Sequence, residues 1–259
     1  MSVQSIDRAF DIIELLSQET RGLPMTEIGR RLGLNKSTVH RLLASLRERG
    51  YIEKDADTGN YKLGLGFIEL ASLYLNSLEL KTEARPFLSQ LTKLTGQTAF
   101  LAIMDGTEIV YIDKVETFDS LRRYTIIGKR RPMHATSLGK AMLSGMSDEE
   151  IEALYPDKKL AILTKKTIPT FDELMAAVRQ VRARGWSQDD EENEKGTRCV
   201  GAPIFDYRGR VIAAVSLAWD ISISPDKTWD DYSKQIVKCT SDISLKMGCP
   251  RSRIRQQAG

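Results

Sequence analysis

Basic and hydroxyl side chains crowd positions 36–41, the part of this 259-residue sequence whose residue types best suit contact with another molecule. Positions 21–54 hold eight Lys or Arg residues against three Asp or Glu residues, an excess of five positive charges. Such a segment suits phosphate neutralisation, although a solvated helix face has the same composition. The donors and acceptors that we predict to contact DNA here are Lys36, Ser37, Thr38, His40 and Arg41.

Three helices and a hairpin are predicted to position these side chains. Ser5 and Asn35 are predicted helix caps, and Gly33 ends the second helix. The third helix would enter the major groove, and Lys62 on the hairpin would reach an adjacent phosphate. The pattern therefore predicts a winged helix-turn-helix, the alternative being a module that docks only on protein. The predicted elements are helices at 5–17, 26–32 and 36–49 and strands at 51–54 and 60–63.

A second chemistry is conceivable around Cys199, since a Cys199 and Asp189 pair is compatible with a thiol hydrolase. A cysteine nucleophile usually needs a base such as histidine. The sequence has two histidines: His40 lies in the DNA-facing helix, and His134, in the motif before the helix at 138–145, is a possible partner for Cys199. A lone cysteine in an apolar strand is most often core, and we expect no enzyme activity.

The rest of the chain alternates strands and helices, which predicts an α+β fold with an antiparallel sheet flanked by helices. The segment 66–76 is apolar all round and is expected to pack against another subunit. A helix is predicted to run to about 95, with Pro86 at a kink or near a first turn. The predicted strands are 98–104, 108–115, 121–127, 198–206 and 211–219, and the other predicted helices are 138–145, 148–155, 171–184 and 229–247. The predicted domains are 1–64 for DNA binding, 65–80 as a linker helix, 81–250 for a small molecule and 251–259 as a flexible tail.

Composition and charge further narrow the classes of protein to which this sequence can belong. The net charge is +3, the hydrophobic fraction is 41%, and the longest apolar stretches have the length of a strand, so no membrane span is expected. The three cysteines are unclustered, which argues against disulfides and against a zinc site. The N-terminus lacks the pattern of an export signal. We expect a cytoplasmic protein without a metal ion or a cofactor.

Several motifs follow one another over nearly the whole chain. The motifs are Ser5-Ile6-Asp7-Arg8-Ala9-Phe10, Lys36-Ser37-Thr38-Val39-His40-Arg41, Tyr61-Lys62-Leu63-Gly64, Pro132-Met133-His134-Ala135-Thr136-Ser137-Leu138-Gly139-Lys140-Ala141, and Glu192 with Gly196-Thr197-Arg198-Cys199-Val200-Gly201-Ala202-Pro203-Ile204. In this order they resemble those of the IclR family of bacterial transcription regulators. Such a resemblance implies a sensor domain similar to GAF or PAS domains, a homodimer or homotetramer, palindromic operator DNA and a catabolic operon, with a repressor favoured.

The resemblance also implies an effector pocket. A second pocket serine of some relatives corresponds here to Ala218, and apolar pocket positions correspond to Arg123 and Arg131. These departures favour a larger or more polar anion than a two-carbon acid. The basic residues Arg122-Arg123 and Lys129-Arg130-Arg131 are similar to the pattern in regulators of sugar-acid catabolism. The blander alternatives are an ordinary capped helix at 137, a solvated acidic run at 189–192 and arginines that face solvent. The implied effector-binding residues are Ser137, Leu138, Asp189, Cys199, Ser216, Arg123 and Arg131.

Overall fold

The computed structural model describes residues 3–77, 79–116 and 127–250, and its contacts divide the chain into two units, Met1–Ser77 and Leu78–Gly259. None of the helices within these described residues is long and apolar enough to cross a membrane. Each unit has its own hydrophobic core.

The N-terminal unit contains the predicted helices and hairpin. Its core residues come from all three of the first helices and from the hairpin, and Ile12, Ile28, Val39, Leu43 and Ile52 are at most 1% exposed. The elements are α1 (Gln4–Ser17), α2 (Met25–Leu32), α3 (Lys36–Glu48), β1 (Ile52–Lys54), β2 (Tyr61–Leu63) and α4 (Gly66–Ser77).

Helix ends in this unit follow local side-chain chemistry with one exception. Gly33 ends α2 in the left-handed region at φ 64°, and the Asn35 side chain accepts a hydrogen bond from the Thr38 amide at 2.9 Å. The prediction that Ser5 caps α1 is wrong. The carbonyl of Val3 already accepts from the amide of Ile6 at 2.8 Å, so the helix begins at Gln4.

The C-terminal unit is built on a six-stranded antiparallel sheet with the strand order β5-β4-β3-β8-β7-β6. A short 3-10 turn, Met133–Ala135, precedes α6. The elements are α5 (Glu79–Thr95), β3 (Thr98–Asp105), β4 (Glu108–Val115), β5 (Arg130–Pro132), α6 (Ser137–Ser144), α7 (Asp148–Leu154), α8 (Phe171–Arg184), β6 (Ser187–Asp190), β7 (Thr197–Phe205), β8 (Val211–Asp220) and α9 (Asp230–Lys246).

Helices cover both faces of this sheet. One face packs against α6, α7 and α8 through a cluster that includes Phe100, Leu138 and Leu174. On the other face, the rings of Trp219 on β8 and Tyr232 on α9 lie 5.2 Å apart. The α+β prediction is confirmed, because the sheet is antiparallel and helices flank it. Since both faces are covered, β7 and β8 are buried along most of their length.

In the C-terminal unit, two strands were missed, Pro86 lies at one of the kinds of position considered, and one predicted strand is mostly outside the described residues. The short edge strands β5 and β6 were missed, and β6 contains Asp189, which belongs to an acidic run that favours a loop. Pro86, which the sequence placed at a kink or near a first turn, lies inside α5. The predicted strand 121–127 falls almost wholly outside the described residues.

Candidate functional site

Two surfaces carry the residues singled out from the sequence, one in each unit. In the N-terminal unit, Lys36, Ser37, His40 and Arg41 are exposed at the start of α3. Thr38 is half-buried, and its backbone amide donates to the side chain of the cap residue Asn35. The first turn of α3 thus presents donors to solvent at a helix N-terminus, which is the geometry that a recognition helix requires.

Acidic partners neutralise part of the basic segment. Glu27 accepts from Arg30 and Arg31, whose guanidinium hydrogen bonds lower the pKa of its carboxyl to about 2. Among the described residues, no ion pair involves Lys36 or Arg41. Positive charge available for phosphate is therefore concentrated on α3 and not on α2.

Lys62 on β2 is also paired, with its ammonium nitrogen 3.1 Å from a Glu53 carboxylate oxygen and 3.7 Å from one of Asp55. These contacts raise the pKa of Lys62, with the Glu53 hydrogen bond as the main cause. A phosphate would have to compete with both carboxylates.

Lys62→Ala is expected to weaken binding to every DNA sequence about equally and to reduce the salt slope by at most about one unit. Because Glu53 competes with the phosphate for Lys62, the loss of DNA affinity should be smaller than the loss from removing an unpaired lysine. Anisotropy titrations at several salt concentrations measure it, with Glu53→Gln as the opposite control, which frees Lys62 and should strengthen binding. A loss confined to one DNA sequence would contradict a phosphate contact.

In the C-terminal unit, strand register places four of the residues predicted to bind an effector on one face of the sheet. Side chains of directly paired residues in an antiparallel sheet share a face. Asp189 pairs with Cys199, Cys199 pairs with Ala218, and Ser216, two residues before Ala218, lies on the same face. At the far end of the sheet, the same alternation through β3 and β4 puts Arg131 of β5 on this face. This surface, the α6 face, is the one that packs against α6.

Two glycines permit close packing around the first turn of α6. A Cβ at Gly201 on β7 would lie 2.9 Å from the Ser137 carbonyl, so glycine there lets this turn approach the α6 face. A Cβ at Gly139 would lie 2.2 Å from backbone atoms of Met133, in the 3-10 turn that precedes α6. The Ser187 hydroxyl donates to the Ser137 carbonyl at 2.5 Å. The helix start is therefore fixed on the strands that carry the polar residues.

Backbone amides at this helix start are only partly used. The hydroxyl and carbonyl oxygens of Thr136 accept from the amides of Gly139 and Lys140, each at 3.0 Å. Helix geometry gives the two preceding amides, those of Ser137 and Leu138, no intrahelical acceptor, and none is found within the described residues. Both residues are 2% exposed, so the positive end of the helix faces the interior.

Asp189 is a buried carboxyl on the same face, 2% exposed. One of its oxygens accepts from the amides of Glu192 at 2.8 Å and Asn193 at 3.4 Å. Burial, the dominant cause, raises its pKa to about 7, and the neighbouring Glu192 adds to the rise, whereas Lys140 opposes it. Near neutral pH this group can therefore either donate a proton in a hydrogen bond or act as an anion.

Asp189→Asn is expected to raise the melting temperature of the ligand-free protein at pH 8 by a few degrees. The pKa of Asp189 is higher in the folded protein than in the unfolded chain, so its ionisation destabilises the fold as pH rises from about 4 through 7. The amide keeps the acceptor oxygen without the buried charge. Calorimetry at pH 5 and pH 8 checks this, and an equal effect at both values would contradict the assigned titration.

Cys199 and Arg131 are both half-buried on the α6 face. Arg131 donates to the Arg130 carbonyl at 3.2 Å, and no ion pair is found for it within the described part of the chain. Its charge lowers the pKa of the buried Tyr111, although burial, the larger cause, raises it. Arg123 lies outside the described residues.

His134 does not supply the base that a thiol nucleophile would need. Its Nε2 lies 2.9 Å from the Ala161 carbonyl, so that nitrogen acts as a donor. Burial lowers the pKa of the imidazole. Within the ranges that the structure describes, no group of three or more His, Cys, Asp or Glu side chains could hold a metal ion.

Sequence reasoning missed three contributors to this site. Tyr111 lies on the α6 face, with its ring centroid 5.4 Å from that of Phe100. Lys140 and Glu192 form a buried ion pair, although the sequence had placed both only within motifs. Alternation along 108–115 could have pointed to Tyr111, whereas nothing local links two residues 52 positions apart.

A winged helix-turn-helix joined to a sheet with an internal polar site defines the class of DNA-binding transcription regulators with a sensor domain. Residues 5–56 match the IclR helix-turn-helix domain, and residues 72–245 match the C-terminal domain of bacterial IclR transcriptional regulators. The chain belongs to the IclR family.

Individual relatives agree over nearly full length. The chain is 36% identical to the HTH-type transcriptional regulator XynR of Escherichia coli K12, over 96% of this chain and 98% of that one. It is 31% identical to the transcriptional repressor IclR of the same organism, over 95% and 90% respectively. The crystal structure of Thermotoga maritima IclR superposes with a TM-score of 0.81 at 29% identity, over 95% and 99% of the two chains. These relatives are regulators and not enzymes, so the hydrolase alternative for Cys199 is rejected.

Proposed function

We propose that this regulator represses a catabolic operon and that a small organic acid, with a sugar-derived keto acid favoured, binds the α6 face and changes operator affinity. The observation that carries the proposal is the buried start of α6, where the amides of Ser137 and Leu138 lie on the same face as Asp189, Cys199 and Ser216.

A carboxylate suits the start of α6. The N-terminus of a helix carries partial positive charge, and its free amides donate to anions. Burial strengthens such bonds because little water competes. Arg131 on the same face supplies a formal positive charge for a second, charge-assisted contact. A capped helix alone would explain the Thr136 bonds, but not the convergence of polar side chains on its first turn.

Hydroxyl and carbonyl groups suit the other side of the pocket. Asp189, when protonated, donates to a ligand oxygen and, when ionised, accepts from a hydroxyl. Ser216 is 2% exposed and can do both. A ligand that combines one carboxylate with several oxygens can satisfy these groups, whereas an aromatic acid would leave some of them unpaired, which is costly when they are buried.

A thermal-shift panel tests this ligand class. Gluconate and 2-ketogluconate should raise the melting temperature, while glucose, which has a similar size and no carboxylate, should not. Benzoate and benzamide test the aromatic alternative. The carboxylate proposal fails if benzamide stabilises the protein and the sugar acids do not.

We also propose a homodimer or homotetramer, in which exposed apolar residues of α4 take part. A single recognition helix reads too few base pairs to select one operator in a genome. Ile68 and Leu70 are 63% and 51% exposed, a cost that a partner subunit would remove. Phe67, in contrast, packs on Tyr51 with the two ring centroids 5.2 Å apart.

The double variant Ile68→Asp and Leu70→Asp is expected to be largely monomeric and to bind operator DNA at least about tenfold more weakly, because it loses the second half-site. Sedimentation velocity measures the assembly. A matched control, Leu94→Asp, changes an equally exposed apolar residue of α5 and should leave the dimer intact. A wild-type protein that is monomeric at concentrations that bind DNA would contradict the proposal.

A further inference from the structure

A buried ion pair joins the two elements that form the proposed effector site. The Lys140 ammonium on α6 lies 2.6 and 2.5 Å from the two carboxylate oxygens of Glu192, just beyond β6. Lys140 is 3% exposed and Glu192 is 7% exposed. Because desolvation offsets most of the Coulombic gain of a buried pair, stability alone is a weak reason for its presence.

Resting on the function proposed above, we propose that Lys140 and Glu192 are positioning residues for effector recognition. Their ion pair fixes the first turn of α6 relative to the turn at 189–193. Because Glu192 occupies Lys140, Lys140 does not pair with Asp189, which stays beside the helix start as a neutral hydrogen-bond donor. The effector class that such a site selects is a monoanion whose second end carries an acceptor oxygen, such as the carbonyl of a keto acid.

The turn at 189–193 has a strained backbone that contacts from other elements must stabilise. Glu191 has a φ of 60°, in the left-handed region that residues other than glycine rarely adopt. The hydroxyls of Thr164 and Thr167 donate to the carbonyls of Glu191 and Glu192 at 2.7 and 2.6 Å. The turn is thus fixed on one side by threonines and on the other by Lys140, which belongs to the effector-binding helix.

Ionisation of Asp189 depends on how Lys140 is paired. Because Glu192 already neutralises the charge of Lys140, little favours the ionised form of a second carboxyl, that of Asp189, beside it. Accordingly, burial and Glu192 raise the pKa of Asp189, while Lys140 lowers it. Across the α6 face, Tyr111 is the neighbouring titratable group. Burial raises its pKa, so its hydroxyl stays protonated, and Cys199, Asp189, Arg131 and Glu194 all act on it. His134, near the ion pair, has a lowered pKa because of burial.

Glu192→Gln tests the assignment directly. The amide leaves Lys140 without its anion, so Asp189 is expected to ionise as the replacement partner, and its pKa should fall by about one unit or more. Carbon-13 NMR of aspartate-labelled, full-length, ligand-free protein follows the Asp189 carboxyl, which is assigned by its loss in Asp189→Asn. The neutral double variant Lys140→Met with Glu192→Gln should titrate close to the wild type, and Lys140→Arg should also leave the titration unchanged.

An exposed pair on the same turn provides the matched control. Lys166 contacts Asp190 and Glu191 at 3.1 and 2.6 Å, and Lys166→Met should leave the titration of Asp189 unchanged. An unchanged titration in Glu192→Gln would overturn the inference, as would equal shifts in Lys166→Met and Glu192→Gln. If Glu192→Gln does not fold, Lys140→Arg is the remaining test. A shifted titration of Asp189 in Lys140→Arg would then overturn the inference.

Ligand binding separates this inference from the proposed function. With 2-ketogluconate as the probe, wild-type affinity should fall above about pH 7, and Glu192→Gln should move that midpoint down together with the NMR titration. If the NMR shift occurs and no sugar acid binds, the positioning role of the pair stands and the proposed ligand class fails. If sugar acids bind with a pH profile that Glu192→Gln does not move, the ligand class stands and the positioning role fails.

Discussion

Arg41→Ala is expected to weaken binding to the cognate operator by about 1–3 kcal/mol, roughly a five- to 150-fold loss, and to relax sequence preference at one base pair. Arg41 is exposed on the recognition face of α3, and the structure assigns it no acidic partner within the described residues. Its five N–H donors can therefore engage a guanine edge without breaking an existing ion pair.

The matched control for this result is Arg30→Ala. Arg30 is an equally long cation in the same unit, but its guanidinium is held by Glu27 at 2.7 Å. Its removal should change operator affinity little. Fluorescence anisotropy with operator and scrambled duplexes at fixed salt gives both affinities. If Arg41→Ala leaves operator binding unchanged, the docking of α3 in the major groove is wrong.

Asp189→Ala and Ser216→Ala are expected to abolish the response to effector while operator affinity without effector stays at the wild-type value. Each variant removes a buried hydrogen bond to the ligand, worth about 1.5–3 kcal/mol when one partner is charged, which corresponds to roughly a ten- to 150-fold loss of ligand affinity. Both residues belong to the C-terminal unit, whereas the residues predicted to contact DNA lie in the N-terminal unit.

Asp190→Ala is the control for this pair of variants. Asp190 is adjacent in β6, points to the opposite face and bonds to Arg198 and Lys166 at 2.9 and 3.1 Å. It should retain the effector response. An effector response that survives Asp189→Ala but is lost in Asp190→Ala would place the ligand on the other face of β6. Isothermal titration of each variant with 2-ketogluconate measures the affinities.

The winged unit could be predicted from the sequence because its signals are local. The apolar stripe of α3, the cap at Asn35 and the left-handed Gly33 all act within a few residues. The error at Ser5 has the same origin, since the predicted cap and the observed cap, Val3, lie only two residues apart and local signals do not separate such close helix starts. Sequence also showed which side of α3 is exposed, but not that Glu53 and Asp55 neutralise Lys62, because that depends on how the hairpin pairs.

The effector site could be predicted only in part. The resemblance named Asp189, Cys199 and Ser216, but only strand register places them on one face with Arg131. The strand β6 was missed because an acidic run has low strand propensity, and it forms nevertheless because β7 supplies its backbone partners and buries alternate residues. Arg123 stays a prediction, as do the domain boundaries at 64 and 80.

Effector binding to the C-terminal unit should change the operator affinity of the N-terminal unit. Operator affinity measured with and without effector tests this coupling most directly. A duplex selected in vitro by the full-length protein should be palindromic, and a saturating sugar acid should change its Kd about five- to 150-fold, the usual range for coupled sites. The same acid should leave the Kd of Asp189→Ala unchanged. A sugar acid that raises the melting temperature of the wild type yet leaves its operator Kd unchanged would contradict the account.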